Sequence, residues 1–260
     1  MSRSRKSAAL AGIAVAGAIA ALCGSSPAAA YAGEPGRELW GAVTIVPGRE
    51  GVVEVAGYAG PPLGAGSSLT LTAPDGIAVR GVPLDARGYR GALARDGGSG
   101  TYTFTGAAAA EAWRGRVFPF VLAVPRDVVP GTRPRGCALW LTDASGLVRQ
   151  RGACAVTVGL PEPKLTRPES GVPLPDRPEV SGTAYPGAQV TVRDATENEV
   201  CATTAGTDGT WSCVPGPALA AGAGRLQATA SLNGVSATSE QIQITVRDAS
   251  AKKSLSKARR

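Results

Sequence analysis

Four cysteines are the residues of this sequence whose spacing most directly predicts a chemical bond. Cys137, Cys154, Cys201 and Cys213 remain once the N-terminal Cys23 is set aside, and their number is even. A tight turn midway between Cys137 and Cys154, and another midway between Cys201 and Cys213, makes each pair directly opposed in an antiparallel hairpin. Opposed residues have Cα atoms roughly 4.5 to 5.5 Å apart, a separation that a disulfide tolerates. We therefore predict two disulfides, each within one hairpin.

Catalytic chemistry has little support among the remaining side chains. The sequence contains no histidine, so a Ser-His-Asp or Cys-His site cannot be assembled. The cysteines also lack the C-x-x-C spacing of a redox or zinc site. A hydrolytic pair of carboxylates needs two acids roughly 5 to 9.5 Å apart in a cleft, whereas the acids of residues 38–158 are scattered among predicted turns. We expect no enzymatic activity and no cofactor.

Acidic residues cluster at predicted hairpin ends between residues 194 and 208, and carboxylate oxygens are calcium ligands. The spacing of a calcium-binding loop is absent from this segment. Asp194 and Asp208 suit turns in which a carboxylate accepts hydrogen bonds from its own backbone. We therefore expect no metal site.

Two groups of residues are candidates for binding a partner. Tyr89 and Trp113 lie in segments rich in glycine and arginine and are the better surface candidates, because Trp40 and Trp140 lie in alternating runs typical of core or half-buried residues. The second group is a basic tail whose cations could contact a polyanion: Lys252, Lys253, Lys257, Arg259 and Arg260. The alternative for the tail is a solvated segment without a ligand.

The N-terminus predicts the compartment in which these residues work. A basic start precedes an apolar run from Ala8 to Leu22, and small residues follow it. This is the pattern of a secretory signal peptide over residues 1–30, with cleavage after Ala30 or Ala32. The run is shorter than the roughly 20 residues of a spanning helix. We expect a secreted, extracellular bacterial protein that has no membrane span after cleavage and in which disulfides are stable, with cell-wall association left open.

The net charge argues against a nucleic-acid partner. The formal charge is +7, but the signal peptide holds three of the 27 basic residues and the last ten residues hold five, which leaves 19 basic against 20 acidic residues in the rest of the chain. A neutral body does not attract a dense polyanion. We therefore expect partners among cell-wall polymers, glycans or other surface proteins.

The elements that position these residues are short strands. Runs of alternating apolar residues, separated by Gly, Pro and Asp turns, extend from Leu39 to Val158 and from Val180 to Val246. This period of two predicts half-buried strands in a sandwich or barrel. Residues 159–177 contain five prolines and no alternation, which predicts a linker. The expected organisation is a signal peptide (1–30), a β-sandwich (38–158), a proline-rich linker (159–177), a second sandwich (178–247) and the basic tail (248–260).

Residues 178–247 resemble bacterial immunoglobulin-like domains of extracellular proteins. The segment from Pro178 to Val192 is similar to the start of such domains, Asp208 to Cys213 to their D-G-T-W-S turn and strand, and Leu219 to Leu226 to their L-x-x-G-x-x-x-L corner. The resemblance implies a Greek-key sandwich that serves as a spacer or binding module and has no catalytic residues. No family is recognised for residues 38–158, whose assignment depends on the strand pattern alone.

Together these features predict an all-β chain of two immunoglobulin-like Greek-key β-sandwiches joined by a proline-rich linker. The expected function is that of a secreted, non-catalytic adhesion, scaffolding or binding module. The alternative is a carbohydrate-binding or accessory protein in polysaccharide metabolism, which a coplanar aromatic pair exposed on the first sandwich would favour.

Trp211 shares a strand face with Cys213 and is expected to lie in the core of the second sandwich.

Overall fold

The computed structural model describes residues 38–107 and 112–248. The signal peptide and all but the first residue of the basic tail lie outside these ranges, as do the predictions made for Lys252, Lys253, Lys257, Arg259 and Arg260. Every regular element within the described ranges is a β-strand, which confirms the all-β prediction. No helix in this part of the chain is long and apolar enough to cross a membrane.

Nine strands form the first sandwich, residues 39–158. They are β1 (Leu39–Ile45), β2 (Glu50–Val55), β3 (Ser68–Thr72), β4 (Ala78–Gly81), β5 (Tyr89–Leu93), β6 (Ser99–Phe104), β7 (Phe118–Ala123), β8 (Ala138–Thr142) and β9 (Val148–Val158). Six of them form one sheet in the order β1-β9-β8-β3-β6-β5, and three form a second sheet in the order β2-β7-β4. Strands β1 and β9 are parallel neighbours, whereas the other pairs are antiparallel.

The interior of the first sandwich follows from the alternation of side chains along each strand. Strand β6 buries Tyr102 and Phe104 and directs Thr101 and Thr103 to the opposite side of the sheet. Strand β7 of the three-stranded sheet buries alternate residues in the same way. One cluster of buried apolar side chains from both sheets therefore forms the core.

Nine further strands form the second sandwich, residues 160–246. They are β10 (Lys164–Arg167), β11 (Pro173–Leu174), β12 (Val180–Thr183), β13 (Gln189–Arg193), β14 (Glu199–Thr204), β15 (Thr210–Cys213), β16 (Gly222–Leu232), β17 (Val235–Thr238) and β18 (Ile242–Val246). One sheet has the order β10-β12-β15, and the other has the order β11-β18-β16-β13-β14, with β17 paired to β16. A separate cluster of buried residues, which includes Trp211 and Leu226, forms its core.

Residues 159–177 do not form the open linker that their proline content predicts. Strand β10 pairs with β12 and β11 pairs with β18, and Leu160 and Leu174 are buried in the second core. Val158 belongs to the first core, so only Gly159 separates the two interiors. Of the five prolines, Pro173 lies within a strand, and it is tolerated because β11 is an edge strand, on which one side forms no ladder.

The two sandwiches also touch through a pair of turns. The side-chain amide of Asn233, in the turn between β16 and β17, donates a hydrogen bond to the Pro130 carbonyl at 3.0 Å. Gly131 has a φ of 88°, and a Cβ at this position would lie 2.5 Å from the Cβ of Asn233. Both the backbone conformation and the close approach therefore require glycine at position 131.

Both predicted cysteine pairs are bonded in the structure, but in different settings. Cys137 and Cys154 have Cα atoms 5.2 Å apart and join the β8–β9 hairpin in the register that the sequence predicts. Cys201 and Cys213 have Cα atoms 6.0 Å apart. Their predicted hairpin is wrong, because β14 pairs with β13 whereas β15 pairs with β12. The second bond therefore connects the two sheets of the second sandwich.

The chain changes sheets in the loop after β14 because the two ends of that loop are held by different neighbours. Ala205 donates its backbone N–H to the Ala188 carbonyl at 2.9 Å, beside strand β13 in the larger sheet of the second sandwich. The Gly209 carbonyl accepts the N–H of Ala184 at 2.9 Å, beside strand β12 in the smaller sheet of the second sandwich. These two hydrogen bonds fix the two ends of the loop to different sheets, while the loop itself forms a local turn in which Gly206 donates its N–H to the Thr210 carbonyl at 2.8 Å.

One tryptophan anchors each core. Trp211 is 4% exposed, as predicted, and lies opposite Gly182, where a Cβ would come within 2.7 Å of its ring. Trp113 is 2% exposed, and its indole N–H donates to the buried Ser67 hydroxyl at 2.9 Å. Among the described residues, the Trp211 indole N–H is the buried side-chain polar group without a hydrogen-bond partner. The two rings therefore differ in hydrogen bonding and not in burial.

We expect Trp211→Phe to cost less stability than Trp113→Phe. Both substitutions remove similar buried area, but only the second removes a hydrogen bond, with a net contribution of about 1 kcal/mol. Trp211→Ala should cost about 3 to 5 kcal/mol, as truncation of a buried aromatic usually does. Urea and thermal unfolding of the three variants measure these costs. Equal costs for the two Phe variants would contradict the hydrogen bond assigned to Trp113. An unshifted transition for Trp211→Ala would contradict the burial of Trp211.

Candidate functional site

The six-stranded sheet of the first sandwich brings aromatic, basic and hydroxyl side chains together on the side away from the core. The side chains that alternate with the buried ones on this sheet form the outer face. Its aromatic members are Trp40 and Trp140, and both are half-buried. Its free cations are Arg90 and Arg151, and both are exposed. Its hydroxyl groups belong to Thr44, Ser68, Thr70, Thr72, Ser99, Thr101, Thr103, Thr142 and Thr157.

Strand register fixes a central row across four neighbouring strands. Arg151 is opposite Trp140, Trp140 is opposite Thr70, and Thr70 is opposite Thr101. The Arg151 guanidinium lies over the indole of Trp140, 4.8 Å from the ring centroid. The hydroxyls of Thr70 and Thr101 are hydrogen-bonded at 2.9 Å. These contacts place all four side chains on one side of the sheet.

A second row runs beside the first and ends at the sheet edge. The hydroxyls of Ser68 and Thr142 are hydrogen-bonded at 2.8 Å. Ser68 is opposite Thr103, which is opposite Arg90 on edge strand β5. Four strand spacings separate β9 from β5, roughly 19 Å. Arg151 and Arg90 therefore stand on either side of a centre rich in hydroxyl groups.

The outer face is positively charged. Its residues include no aspartate or glutamate. The salt bridge among the described residues joins Arg149 to Asp143 at 2.7 Å and lies at the bulge that ends the β8–β9 pairing. Arg90 and Arg151 therefore have no carboxylate partner within the described ranges, and the face is suited to an anionic ligand.

The Cys137–Cys154 disulfide supports the outer face from beneath. Both cysteines pack against the first core, on the opposite side of the sheet from Trp140 and Arg151. The bond joins β8 to β9, the two strands that carry this stacked pair. Its contribution to a binding surface is thus to fix the register of the two strands.

The structure does not place Tyr89 and Trp113 on a ligand-binding surface, so that prediction is wrong. Trp113 is buried, with its ring centroid 4.9 Å from that of Phe118. Tyr89 is half-buried, its ring contacts Trp113, and its hydroxyl donates to the Ala112 carbonyl. Burial raises the pKa of the Tyr89 hydroxyl. The glycines nearby, such as Gly115 with a φ of 63°, form turns that direct both rings into the core.

Trp140 is the binding candidate that sequence reasoning missed. It lies between Leu139 and Leu141, which are both fully buried. Because neighbouring side chains alternate along a strand, a tryptophan between two core leucines has to face outward. This alternation around Trp140 is the sequence signal that could have identified the outer face.

The carboxylates that could have formed a calcium site shape turns. Asp194 Oδ1 accepts the backbone N–H of Thr196 at 2.8 Å and that of Asn198 at 3.0 Å. Burial raises the pKa of Asp194, but hydrogen bonds from the Thr196 hydroxyl, from these two backbone N–H groups and from the Asn198 side chain outweigh it, and the net pKa is lowered. The described residues contain no group of three or more His, Cys, Asp or Glu arranged to hold a metal ion.

A groove of about 590 Å³ lies on the second sandwich. It is lined by hydroxyl residues of β12, β14 and β15, such as Ser181, Thr203 and Thr210, and by part of Trp211. The indole N–H of Trp211 is enclosed in the protein and does not reach the groove surface. The groove therefore lacks the accessible ring and the cation that the outer face combines.

Comparison with known families identifies the second sandwich. The sequence model of the bacterial Ig domain family matches residues 174–248. The match spans β12 to β18 and confirms the resemblance of residues 178–247. Residues 174–248 therefore match the bacterial Ig domain family, and the described part of the chain as a whole is all-β.

Several solved structures are similar at a low level. The BSP domain of a biofilm associated protein is 18% identical, with 82% of this chain and 30% of that chain covered and a TM-score of 0.29. BcpA, the major pilin subunit of Bacillus cereus, is 10% identical over 80% of this chain and 67% of its own, with a TM-score of 0.32. The third cohesin ScaC of Acetivibrio cellulolyticus is 13% identical over 46% of this chain and 98% of its own, with a TM-score of 0.33.

This chain spans less than a third of the length of the BSP-domain chain. Similarity at these scores carries no argument about function. No curated protein matches the chain in sequence. The function is therefore argued from the residues themselves.

Asp143 holds the turn beside the outer face and has an unusually acidic carboxyl group. Its pKa is lowered from 3.8 to about 2, with the largest effect from the Ser145 hydroxyl, which donates at 2.6 Å. Burial opposes this shift, and hydrogen bonds from Arg149 and from the backbone N–H of Leu147 add to it. The turn between β8 and β9 is thus organised around an ionised carboxylate.

We expect the folded protein to show an Asp143 titration midpoint of about 2 by NMR of the carboxyl carbon. Because the pKa is lowered on folding, the stabilisation is fully present above the ordinary value of 3.8 and is lost as pH falls through about 2. Ser145→Ala should raise the midpoint more than Arg149→Gln does. A wild-type midpoint near 3.8 would show that these hydrogen bonds do not form.

Proposed function

We propose that this chain is a secreted, non-catalytic protein of the bacterial cell surface that acts as an adhesion, scaffolding or binding module. The observation that carries the proposal is a bacterial Ig domain at residues 174–248. It adjoins the first sandwich, which has an open outer face with aromatic and basic side chains. Immunoglobulin-like sandwiches present rigid surfaces on which such side chains keep fixed positions.

Export is supported by two independent features. Residues 1–30 have the pattern of a secretory signal peptide. The two disulfides belong to an oxidising compartment, because cytosolic thiols are kept reduced. Each bond lies within one sandwich, where it stabilises a small domain outside the cell.

The chemistry of the outer face supports binding and not catalysis. Trp140, Arg151, Thr70 and Thr101 supply stacking area and hydrogen-bonding groups. The chain has no histidine to activate a hydroxyl as a nucleophile. Such a face can hold a polymer but has no means to cleave it.

A carbohydrate-binding or accessory role in polysaccharide metabolism is the second candidate, and the outer face favours it. Trp40 is opposite Ala153, and Ala153 is opposite Ala138, which is two residues from Trp140. Two tryptophans therefore occupy nearby positions on one sheet face, where flat rings can accommodate sugar rings.

The basic tail, residues 248–260, is proposed to add electrostatic attraction to anionic wall polymers. Its five cations carry the excess positive charge of the secreted chain, whose remainder is near neutral. Five charges give weak binding at physiological ionic strength, so the tail adds to retention without determining it.

Fractionation of cells that produce the full chain tests the proposal. We expect a processed protein that begins at Tyr31 or Gly33 in the medium or wall fraction, and retention of the purified protein on isolated walls or whole cells. A full-chain variant with all five tail cations changed to Gln should lose the salt-sensitive part of this retention. An unprocessed protein in the cytoplasm, or no retention on walls or cells, would overturn the proposal.

A further inference from the structure

We infer that the outer face of the first sandwich binds an acidic polysaccharide, a chain of sugar rings that carry carboxylate or phosphate groups. The inference rests on the proposed function, because a protein outside the cell meets polymers of this kind. It adds to that function a particular surface and the chemical class of its ligand.

The stacked pair of Arg151 and Trp140 offers two kinds of contact at one position. The guanidinium carbon lies over the indole, 4.8 Å from the ring centroid. A guanidinium carries its N–H donors in its own plane, in a geometry that matches the oxygens of a carboxylate or phosphate. The exposed part of the half-buried indole offers apolar area to the C–H face of a sugar ring. One residue pair can therefore recognise a charged sugar unit.

The hydroxyl groups between the arginines suit the hydroxyls of a sugar. Each Ser or Thr hydroxyl has one donor and two acceptor positions. The bond between Thr70 and Thr101 uses only one of their two donors, so this pair keeps a donor and several acceptors for a ligand. In the pair of Ser68 and Thr142, the Thr142 hydroxyl also donates to the Ser68 carbonyl at 3.4 Å, so this pair offers a ligand acceptor positions.

The separation of the two cations indicates a polymer and not a single sugar. Arg151 on β9 and Arg90 on β5 are four strand spacings apart, roughly 19 Å. One small anion cannot bridge this distance, whereas a chain lying across the strands meets both arginines and the hydroxyl groups between them. Repeated charges along the chain would give affinity that single units lack.

A protein or a nucleic acid fits this face less well. The large apolar side chains that are exposed lie elsewhere: Val52, Leu93, Val117, Val129, Leu147, Val172 and Val214. The face therefore offers two tryptophans on separate strands among hydroxyl groups and not the continuous apolar centre that protein interfaces bury. Two arginines are also too few to neutralise the closely spaced phosphates of a nucleic acid.

Isothermal titration calorimetry of the purified mature protein tests the inference. Three polymers are used: polygalacturonate, its fully methyl-esterified counterpart, and a phosphomannan, whose sugar rings carry phosphate groups. We expect binding to polygalacturonate or to the phosphomannan, which distinguishes a carboxylate from a phosphate source, and at least tenfold weaker binding to the methyl ester. Trp140→Ala and Arg151→Gln should each weaken binding about tenfold, as expected for the loss of a stacking or charge-assisted contact.

Two controls separate the face from the rest of the chain. Arg80→Gln changes an exposed arginine on β4, in the other sheet, and should leave the affinity unchanged. The variant without tail cations should keep most of its affinity for the polymer. Circular dichroism and thermal unfolding of each variant show whether the fold is intact, and Trp140→Phe serves as the milder substitution if Trp140→Ala unfolds.

The inference is overturned if neither acidic polymer binds, if the methyl ester binds equally well, or if only the tail variant loses affinity. Preferential binding of an oligonucleotide or of a surface protein through the same residues also overturns it. Wall retention of Trp140→Ala and Arg151→Gln is measured in parallel. If retention persists while polymer binding is absent, the surface function stands and the assignment of this face fails.

Discussion

The inward layer of the six-stranded sheet in the first sandwich determines where every other side chain of that sheet lies. Leu69, Leu71, Tyr102, Leu139 and Leu141 are at most 1% exposed. Since neighbours along a strand point to opposite sides, burying this layer directs the intervening residues outward, and a slip of one residue would exchange the two layers. The core thus holds the outer face in place before any ligand arrives, which lowers the ordering cost of binding.

Alternation along the chain is also why much of the fold could be predicted from sequence. The strands of both sandwiches follow runs in which apolar residues recur at every second position, and strand β8 is a clear example. The Cys137–Cys154 pair was equally accessible, because a local hairpin determines it. For the Cys201–Cys213 pair, local spacing does not reveal that the bond connects two sheets, because the loop between the cysteines is hydrogen-bonded to Ala184 and Ala188.

The wrong predictions for Trp113 and for residues 159–177 share one physical cause, which is that the deciding contacts come from distant parts of the chain. Trp113 is buried by contacts that include Ser67, 46 residues away, whereas its immediate neighbours are typical of a surface turn. Residues 159–177 have the composition of a linker, yet β10 and β11 find partners in β12 and β18. The outer face differs, because its signal is local: Trp140 lies between two leucines, so its outward direction follows from alternation along the strand alone.

The bond between Cys201 and Cys213 has a consequence for the behaviour of the protein under tension. A chain pulled from its ends lengthens by roughly 3.3 to 3.6 Å for each residue released. The two cysteines are 12 residues apart in sequence, so roughly 40 Å of chain stays locked even when the sheets around it separate. A molecule tethered to a surface in flowing liquid would therefore stretch less and keep a covalent link between the two halves of its second sandwich, from which that sandwich can refold when the pull ends.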